Sequence, residues 1–275
     1  MNLRLKIADL EVSRLGLGAM RVIDNDDIWG EPKDRANSLR VLRRAVELGV
    51  NFFDTAESYG PHTDETLIAE ALHPYPKGFV VATKCGLARP SPGRWDADCR
   101  PAKLRKDLEG SLKRLRLERI DLYQLHTVDP KVPLEVSVGT LADMPREGKV
   151  RHVGLSNVSV KQLERARKIV PIVSVQNRYS LADRSSEEVL AHCERQGIAF
   201  LPWYPLGDGS ALALSKVKRL SKNIGATPAQ VAIAWLLHKS AVILPIPGTG
   251  NVAHLEENVA AAKLRLKPAD LAALD

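Results

Sequence analysis

The sequence predicts an α/β fold, a (β/α)8 TIM barrel carried by one domain over residues 1–275. Short apolar runs alternate with longer amphipathic stretches from end to end, the pattern of parallel strands joined by helices. The runs number eight, with about eight helical stretches between them. The length of 275 residues suits a single barrel, and no Pro/Gly/Ser-rich linker or charge block divides it. A doubly wound parallel sheet alternates in the same way and is the competing architecture.

Strands are expected at 14–18, 50–54, 79–84, 120–126, 150–155, 172–176, 198–203 and 242–247. Most are continuous apolar runs, as for parallel strands covered on both faces. A helix is expected over 34–48, where Leu39, Leu42, Ala45, Val46 and Leu48 make an apolar stripe and Gly49 a stop. Pro101 opens another, in which Leu104, Leu108, Leu112 and Leu115 recur at three- and four-residue spacing. Further helices are expected at 160–168, 185–196, 228–239 and 252–262.

Composition narrows the class. The chain is 44% hydrophobic and 27% charged, which excludes disordered and collagen-like sequences. Its net charge of +7 is spread along the chain, so a solvated basic surface is expected and nucleic-acid binding is not. Such a field still favours phosphorylated ligands. Cys85, Cys99 and Cys193 are odd in number and lack C-x-x-C spacing, against a disulfide framework or structural zinc. The histidines show no metal-ligand spacing, and no metal is expected. No signal-peptide pattern opens the chain and no apolar run approaches ~18 residues, so a cytoplasmic, membrane-free protein is expected.

A barrel places its chemistry at the C-terminal ends of its strands. The second expected strand ends in Asp54, with Tyr59 just beyond; the third ends in Lys84 and the fourth in His126. An ion at the end of an apolar strand is costly to bury alone, and Asp54 with Lys84 can offset that cost by pairing. A lysine beside a phenol stabilises phenolate and lowers its pKa. Tyr59 is then a candidate proton donor, with His126 as a second hydrogen-bonding group. A buried pair with a tyrosine packed on it would read the same residue by residue. It is the joint placement that points to function.

The remaining strand ends carry Ser156, Asn157 and Gln176, which can bind a carboxamide on both edges. Trp203 follows, able to stack on a flat heteroaromatic ring or simply to pack. The run Gly248-Thr249-Gly250-Asn251 before a helix is either a phosphate site or a plain turn and cap. Met20, Trp29 and Trp95 are candidates to line an apolar substrate pocket, with loop packing as the alternative for each.

With these residues in view, the sequence resembles the aldo-keto reductase superfamily over essentially its whole length. The motifs that carry the resemblance are Phe53-Asp54-Thr55-Ala56-Glu57-Ser58-Tyr59-Gly60, Thr83-Lys84, Leu125-His126, Gly154-Leu155-Ser156-Asn157 and Pro247-Gly248-Thr249. The resemblance implies a barrel that reduces aldehydes and ketones reversibly with a nicotinamide cofactor. It implies Tyr59 as general acid, Lys84 and Asp54 as the pair that lowers its pKa, and His126 as the residue that orients the carbonyl. Substrate contacts are expected from Met20, Trp29, Tyr59, Trp95 and His126. Cofactor contacts are expected from Gly18, Ala19, Met20 and Asp54, and from Ser156, Asn157 and Gln176 at the carboxamide. Trp203 falls where an aromatic stacks on the nicotinamide, followed by Tyr204, Pro205, Leu206 and Gly207 near the pyrophosphate. Gly248, Thr249, His254, Glu257 and Asn258 match the adenosine segment.

Members with strong NADPH preference often carry a lysine near Gly248 and an arginine near His254, and this chain has neither. NADP(H) is the expected cofactor, with NAD(H) left open. The short Gly207-Asp208-Gly209-Ser210 link and the end at Asp275 suggest an open pocket and loose substrate selection. The expected partner is a small aldehyde or ketone, and the chain is expected to be a monomer or weak oligomer. The superfamily also contains potassium-channel β subunits, so a cofactor-sensing regulatory protein is the alternative. A glycosidase would need two flanking carboxylates, a serine hydrolase a G-x-S-x-G elbow and a Rossmann enzyme a third glycine where Arg21 stands.

Overall fold

The computed structural model describes residues 3–25 and 27–275. The chain opens with an antiparallel hairpin, β1 (Arg4–Ile7) and β2 (Leu10–Ser13). Then come β3 (Leu17–Gly18), α1 (Arg35–Glu47), β4 (Phe52–Asp54), α2 (Thr63–Leu72) and β5 (Val80–Cys85). A second small hairpin, β6 (Leu87–Ala88) and β7 (Asp96–Ala97), precedes α3 (Pro101–Leu115). The alternation resumes with β8 (Ile120–Leu125), α4 (Leu134–Arg146), β9 (Val150–Ser156), α5 (Val160–Arg167), β10 (Ile172–Gln176), α6 (Glu187–Gln196) and β11 (Ala199–Phe200). The chain ends with α7 (Ser210–Ala213), α8 (Ser215–Ile224), α9 (Pro228–Lys239), α10 (Val252–Ala260) and α11 (Pro268–Leu274). None of the helices in the described residues is long and apolar enough to cross a membrane.

Seven strands form one parallel sheet in the order β11-β10-β9-β8-β5-β4-β3. The eighth expected strand, 242–247, makes only a parallel bridge between Ile243 and Phe200. It closes the barrel all the same. Phe200 N donates to Val242 O and Leu244 N donates to Phe200 O, both at 2.9 Å, while Gly16 N donates to Pro245 O at 2.9 Å. Pro245 and Pro247 have no N–H to return, so the seam with the first strand is bonded in one direction only. The seam is also tight: a Cβ on Gly18 would stand 2.6 Å from Ile246 O.

Helix ends follow the local chemistry. Asp34 caps α1 by accepting from Asn37 N. Ser159 with Gln162, and Thr227 with Gln230, form capping boxes at α5 and α9. Pro101 stands at the N-terminus of α3 as expected, and Gly197 ends α6 in the left-handed region. Three strands are clearly shorter than expected, β4 among them at Phe52–Asp54. The 14–18 run pairs with β4 at Leu17–Gly18, and the buried Arg14 before it donates to the carbonyls of Ile243, Leu237 and Ser240. The 198–203 run pairs at Ala199–Phe200 and again by a bridge at Trp203.

The inside of the barrel is filled at its N-terminal end. Phe52, Val80, Ala82, Leu122, Ala199, Leu201 and Leu244 pack there with Ile7, Leu10 and Val12 from the first hairpin. That hairpin plugs the bottom, so open space is left at the other end, where the strands finish.

Candidate active site

Strand periodicity carries the apolar interior upward into a polar layer. Side chains two residues apart share a face. Phe52 lies in the interior cluster, so Asp54 points inward above it. Ala82 lies there too, opposite Asp54 in register, so Lys84 points inward one step higher. Leu122, Gln124 and His126 continue the pattern on β8. The expected Asp–Lys pair is therefore a consequence of two strand registers.

The pair is closed off from solvent. Lys84 is wholly buried and donates to Asp54 Oδ2 at 2.6 Å, to Thr55 O at 2.9 Å and to the Tyr59 hydroxyl at 3.2 Å. Gln176 and Gln124 donate to Asp54 Oδ1 at 2.8 Å and 3.2 Å. Every ammonium proton has an acceptor, and both carboxylate oxygens have donors. Gln124 was not singled out in the sequence, although its place between Leu122 and His126 on one face marks it as inward. A Cβ on Gly154 would stand 2.9 Å from Gln124 Cγ, so that glycine makes room for it.

Burial and the Lys84 charge act on Tyr59 in opposite directions. Burial pushes the Tyr59 phenol up to about 12; Lys84 pulls it down and Asp54 pushes it further up. Desolvation is the largest of these effects, so the phenol stays above its ordinary value despite the lysine. Burial alone would lower the Lys84 ammonium, but Asp54 and Tyr59 raise it above its ordinary value. Burial and then Lys84 hold His126 well below the ordinary histidine range, so its imidazole is neutral at pH 7. Its ring stands edge-on to Tyr59 at 5.7 Å, and its Nδ1 lies 3.4 Å from Ser58 Oγ.

These groups form the floor of a cavity of about 610 Å³, a size suited to a small-molecule site. Of the residues expected at the site, Gly18, Met20, Asp54, Tyr59, Trp95, His126, Ser156, Asn157, Gln176, Trp203, Tyr204, Pro205, Leu206 and Gly248 line it. Lys84 sits just beneath. Asn157 joins the polar wall together: its amide donates to His126 O at 3.0 Å and its oxygen accepts from Trp203 Nε1 at 3.0 Å. Arg21 and Asp208, absent from the sequence-based set, also line the cavity and pair with each other at 3.0 Å.

Other expected residues lie elsewhere. Ala19 and Gly207 are buried beside the cavity without lining it. Thr249 and His254 border a neighbouring depression with Asn37, Arg40, Asp24 and Asn251. Glu257 and Asn258 reach neither hollow; the Glu257 carboxylate accepts from Thr227 Oγ1, and Asn258 is buried. Trp29 does not border the cavity, because its loop turns it toward the Arg89 guanidinium, 5.4 Å from its ring centre.

The residues of the barrel, 14–275, match the Aldo/keto reductase family model. The chain belongs to the aldo/keto reductase family. It is 47% identical to an uncharacterized oxidoreductase of Schizosaccharomyces pombe, over 98% of this chain and 88% of the relative. It is 42% identical to the pyridoxine 4-dehydrogenase of Escherichia coli, over 96% of this chain and 94% of the relative. The glycerol dehydrogenase structure from Gluconobacter oxydans superimposes with a TM-score of 0.90 at 26% identity, over 99% of this chain and 94% of that one. As a member of this family the chain is an NAD(P)H-dependent oxidoreductase acting on carbonyl compounds.

Proposed function

We propose that this aldo/keto reductase reduces an aldehyde or ketone with NADPH, with Tyr59 as the proton donor. The observation that carries the reading is the buried Asp54–Lys84 pair, set 3.2 Å from the Tyr59 hydroxyl at the cavity floor. Because Lys84 donates to the phenol oxygen, the phenol's own proton remains available to another acceptor.

The donor set suits a nicotinamide. Ser156, Asn157 and Gln176 offer hydroxyl and amide groups on one wall, and the half-buried Trp203 offers an aromatic surface on the next. Arg21, paired to Asp208 across the cavity, suits the dinucleotide phosphates. Arg40 and His254 border the neighbouring depression and suit a further phosphate, which favours NADPH over NADH. When bound, the nicotinamide supplies the hydride that reaches the carbonyl carbon.

The chain's own residues handle the oxygen. Neutral His126 and the Tyr59 phenol converge on the cavity and can both hydrogen-bond a carbonyl oxygen. As negative charge develops there, Tyr59 gives up its proton, since an alkoxide is a stronger base than a phenolate. The resulting phenolate faces the Lys84 ammonium. That attraction is stronger once the proton has left, so it favours the transition state over the ground state. A phenol at about 12 stays protonated at neutral pH and ready for each turnover.

The name of the Escherichia coli relative makes pyridoxine and its 4-aldehyde the first pair to test. The test follows absorbance at 340 nm with that aldehyde, a benzaldehyde and a ketone, using NADPH and NADH in parallel. Turnover favouring NADPH, and loss of that preference in Arg40→Gln, supports the reading. Turnover with neither cofactor contradicts it.

A further inference from the structure

The loop joining β6 to β7 carries one buried charge. Arg89 is 9% exposed. Its Nε donates to Arg94 O at 3.0 Å, its Nη1 to Ile28 O and Ser58 O at 3.2 Å each, and its Nη2 to Asp27 O at 2.9 Å. Three segments distant in sequence meet on one planar group, and all four acceptors are main-chain carbonyls. Burial draws the guanidinium below its ordinary pKa. Desolvating a cation is costly, and the four carbonyls on its N–H groups offset that cost.

The face of the guanidinium has a further contact. It lies 3.6 Å from the centre of the Trp95 ring. Trp95 is 39% exposed and borders the cavity with Leu87 and Ala97 from the same hairpin. Its ring stands 6.3 Å from that of Tyr59 at 74°. A partly exposed tryptophan on a loop would otherwise turn between rotamers. Stacking fixes it, and the hydrogen bond to Ser58 O fixes the residue preceding Tyr59 to the same group.

We infer that Arg89 is a positioning residue: it holds the Trp95 ring as a rigid wall beside Tyr59, and so selects flat aromatic carbonyl compounds over aliphatic ones of similar size. The inference rests on the proposed reductase activity and adds a substrate class to it. An aromatic ring beside an immobile tryptophan gains ring–ring geometry as well as buried area, whereas an alkyl chain gains area alone. Lysine keeps the charge but has neither the plane nor the fork, so Arg89→Lys separates the two contributions.

The test measures kcat and KM with NADPH for a pyridine carbaldehyde and for hexanal in the wild type, Arg89→Lys, Trp95→Leu and the double variant. Acrylamide quenching of tryptophan fluorescence is measured on the same four proteins without substrate. Arg89→Lys should lower the aromatic-over-hexanal ratio of kcat/KM on the order of 3- to 30-fold, over and above any loss common to both aldehydes from releasing Ser58. The double variant should match the selectivity of Trp95→Leu alone, the non-additivity expected when one residue acts through the other. With Trp29, which also faces the guanidinium, replaced by Phe in all four proteins, quenching should increase in Arg89→Lys but not when the same change is made in the Trp95→Leu background. Equal losses on both aldehydes, additive effects or unchanged quenching would overturn the inference. Should Arg89→Lys fail to fold, Trp95→Leu alone must lose the aromatic preference, and its retention overturns the substrate class. A wild type that turns over neither aldehyde overturns the substrate class; activity on the ketone would then keep the reductase reading and its absence would overturn that too, while quenching decides whether Arg89 holds Trp95.

Discussion

Lys84 donates to the Tyr59 hydroxyl over 3.2 Å from a position with no solvent exposure. The contact joins a strand end to the loop beyond its neighbour, and it exists because Asp54 makes a buried ammonium tolerable. In the resting protein, burial pushes the Tyr59 phenol up to about 12, and Lys84 opposes that shift. In the proposed step the lysine's attraction would grow once the proton has left the phenol.

Breaking the pair should therefore affect two properties that can be separated. Lys84→Met leaves the Asp54 carboxylate buried without its cation, and should cost about 3–5 kcal/mol of stability together with turnover. Adding Asp54→Asn removes the stranded charge. The double variant should regain most of the stability and none of the turnover. Chemical denaturation beside steady-state rates checks this; recovery of both would contradict the assigned roles.

The Arg21–Asp208 pair spans the cavity between the segments that follow the first and seventh barrel strands. Both side chains are substantially exposed, so their pairing should contribute little to folding. Arg21→Ala should leave the melting temperature nearly unchanged and weaken NADPH binding on the order of tenfold, the loss of one guanidinium–phosphate contact. Fluorescence titration with NADPH reads the effect. Unchanged affinity would remove Arg21 from the cofactor site.

A buried acid behind the site links stability to pH. Asp64 accepts from Thr55 Oγ1 at 2.6 Å, its other oxygen has no partner, and burial pushes its carboxyl up to about 7. The folded state then holds a proton that the unfolded chain releases near pH 4. Between about pH 4 and 7 this group's contribution to stability falls as pH rises. The melting temperature of Asp64→Asn, relative to wild type, should climb from pH 4 to 8 and level off above. A difference that stays flat with pH would show Asp64 ionised throughout.

Strand periodicity and local motifs make part of the site legible in the sequence. Asp54, Lys84 and His126 end apolar runs and were legible for that reason, and Pro245 and Pro247 lie in the run that closes the barrel. Features created by tertiary contact were not legible. Arg21 meets Asp208 across 187 positions, and Arg89 gathers carbonyls from loops that share no local pattern. Trp29 looked equivalent to Trp95, yet only Trp95 borders the cavity. The β1–β2 hairpin, outside the eight expected strands, carries a signal in the alternation through Leu5, Ile7, Leu10 and Val12.

The most direct test of the central claim compares wild type with Tyr59→Phe by loss of absorbance at 340 nm, using NADPH and a pyridine carbaldehyde, with NADPH affinity measured on both proteins. The account predicts turnover in the wild type, a loss on the order of 10²–10⁴ in the variant, and unchanged NADPH affinity. Equal turnover in the two proteins would contradict Tyr59 as the proton donor.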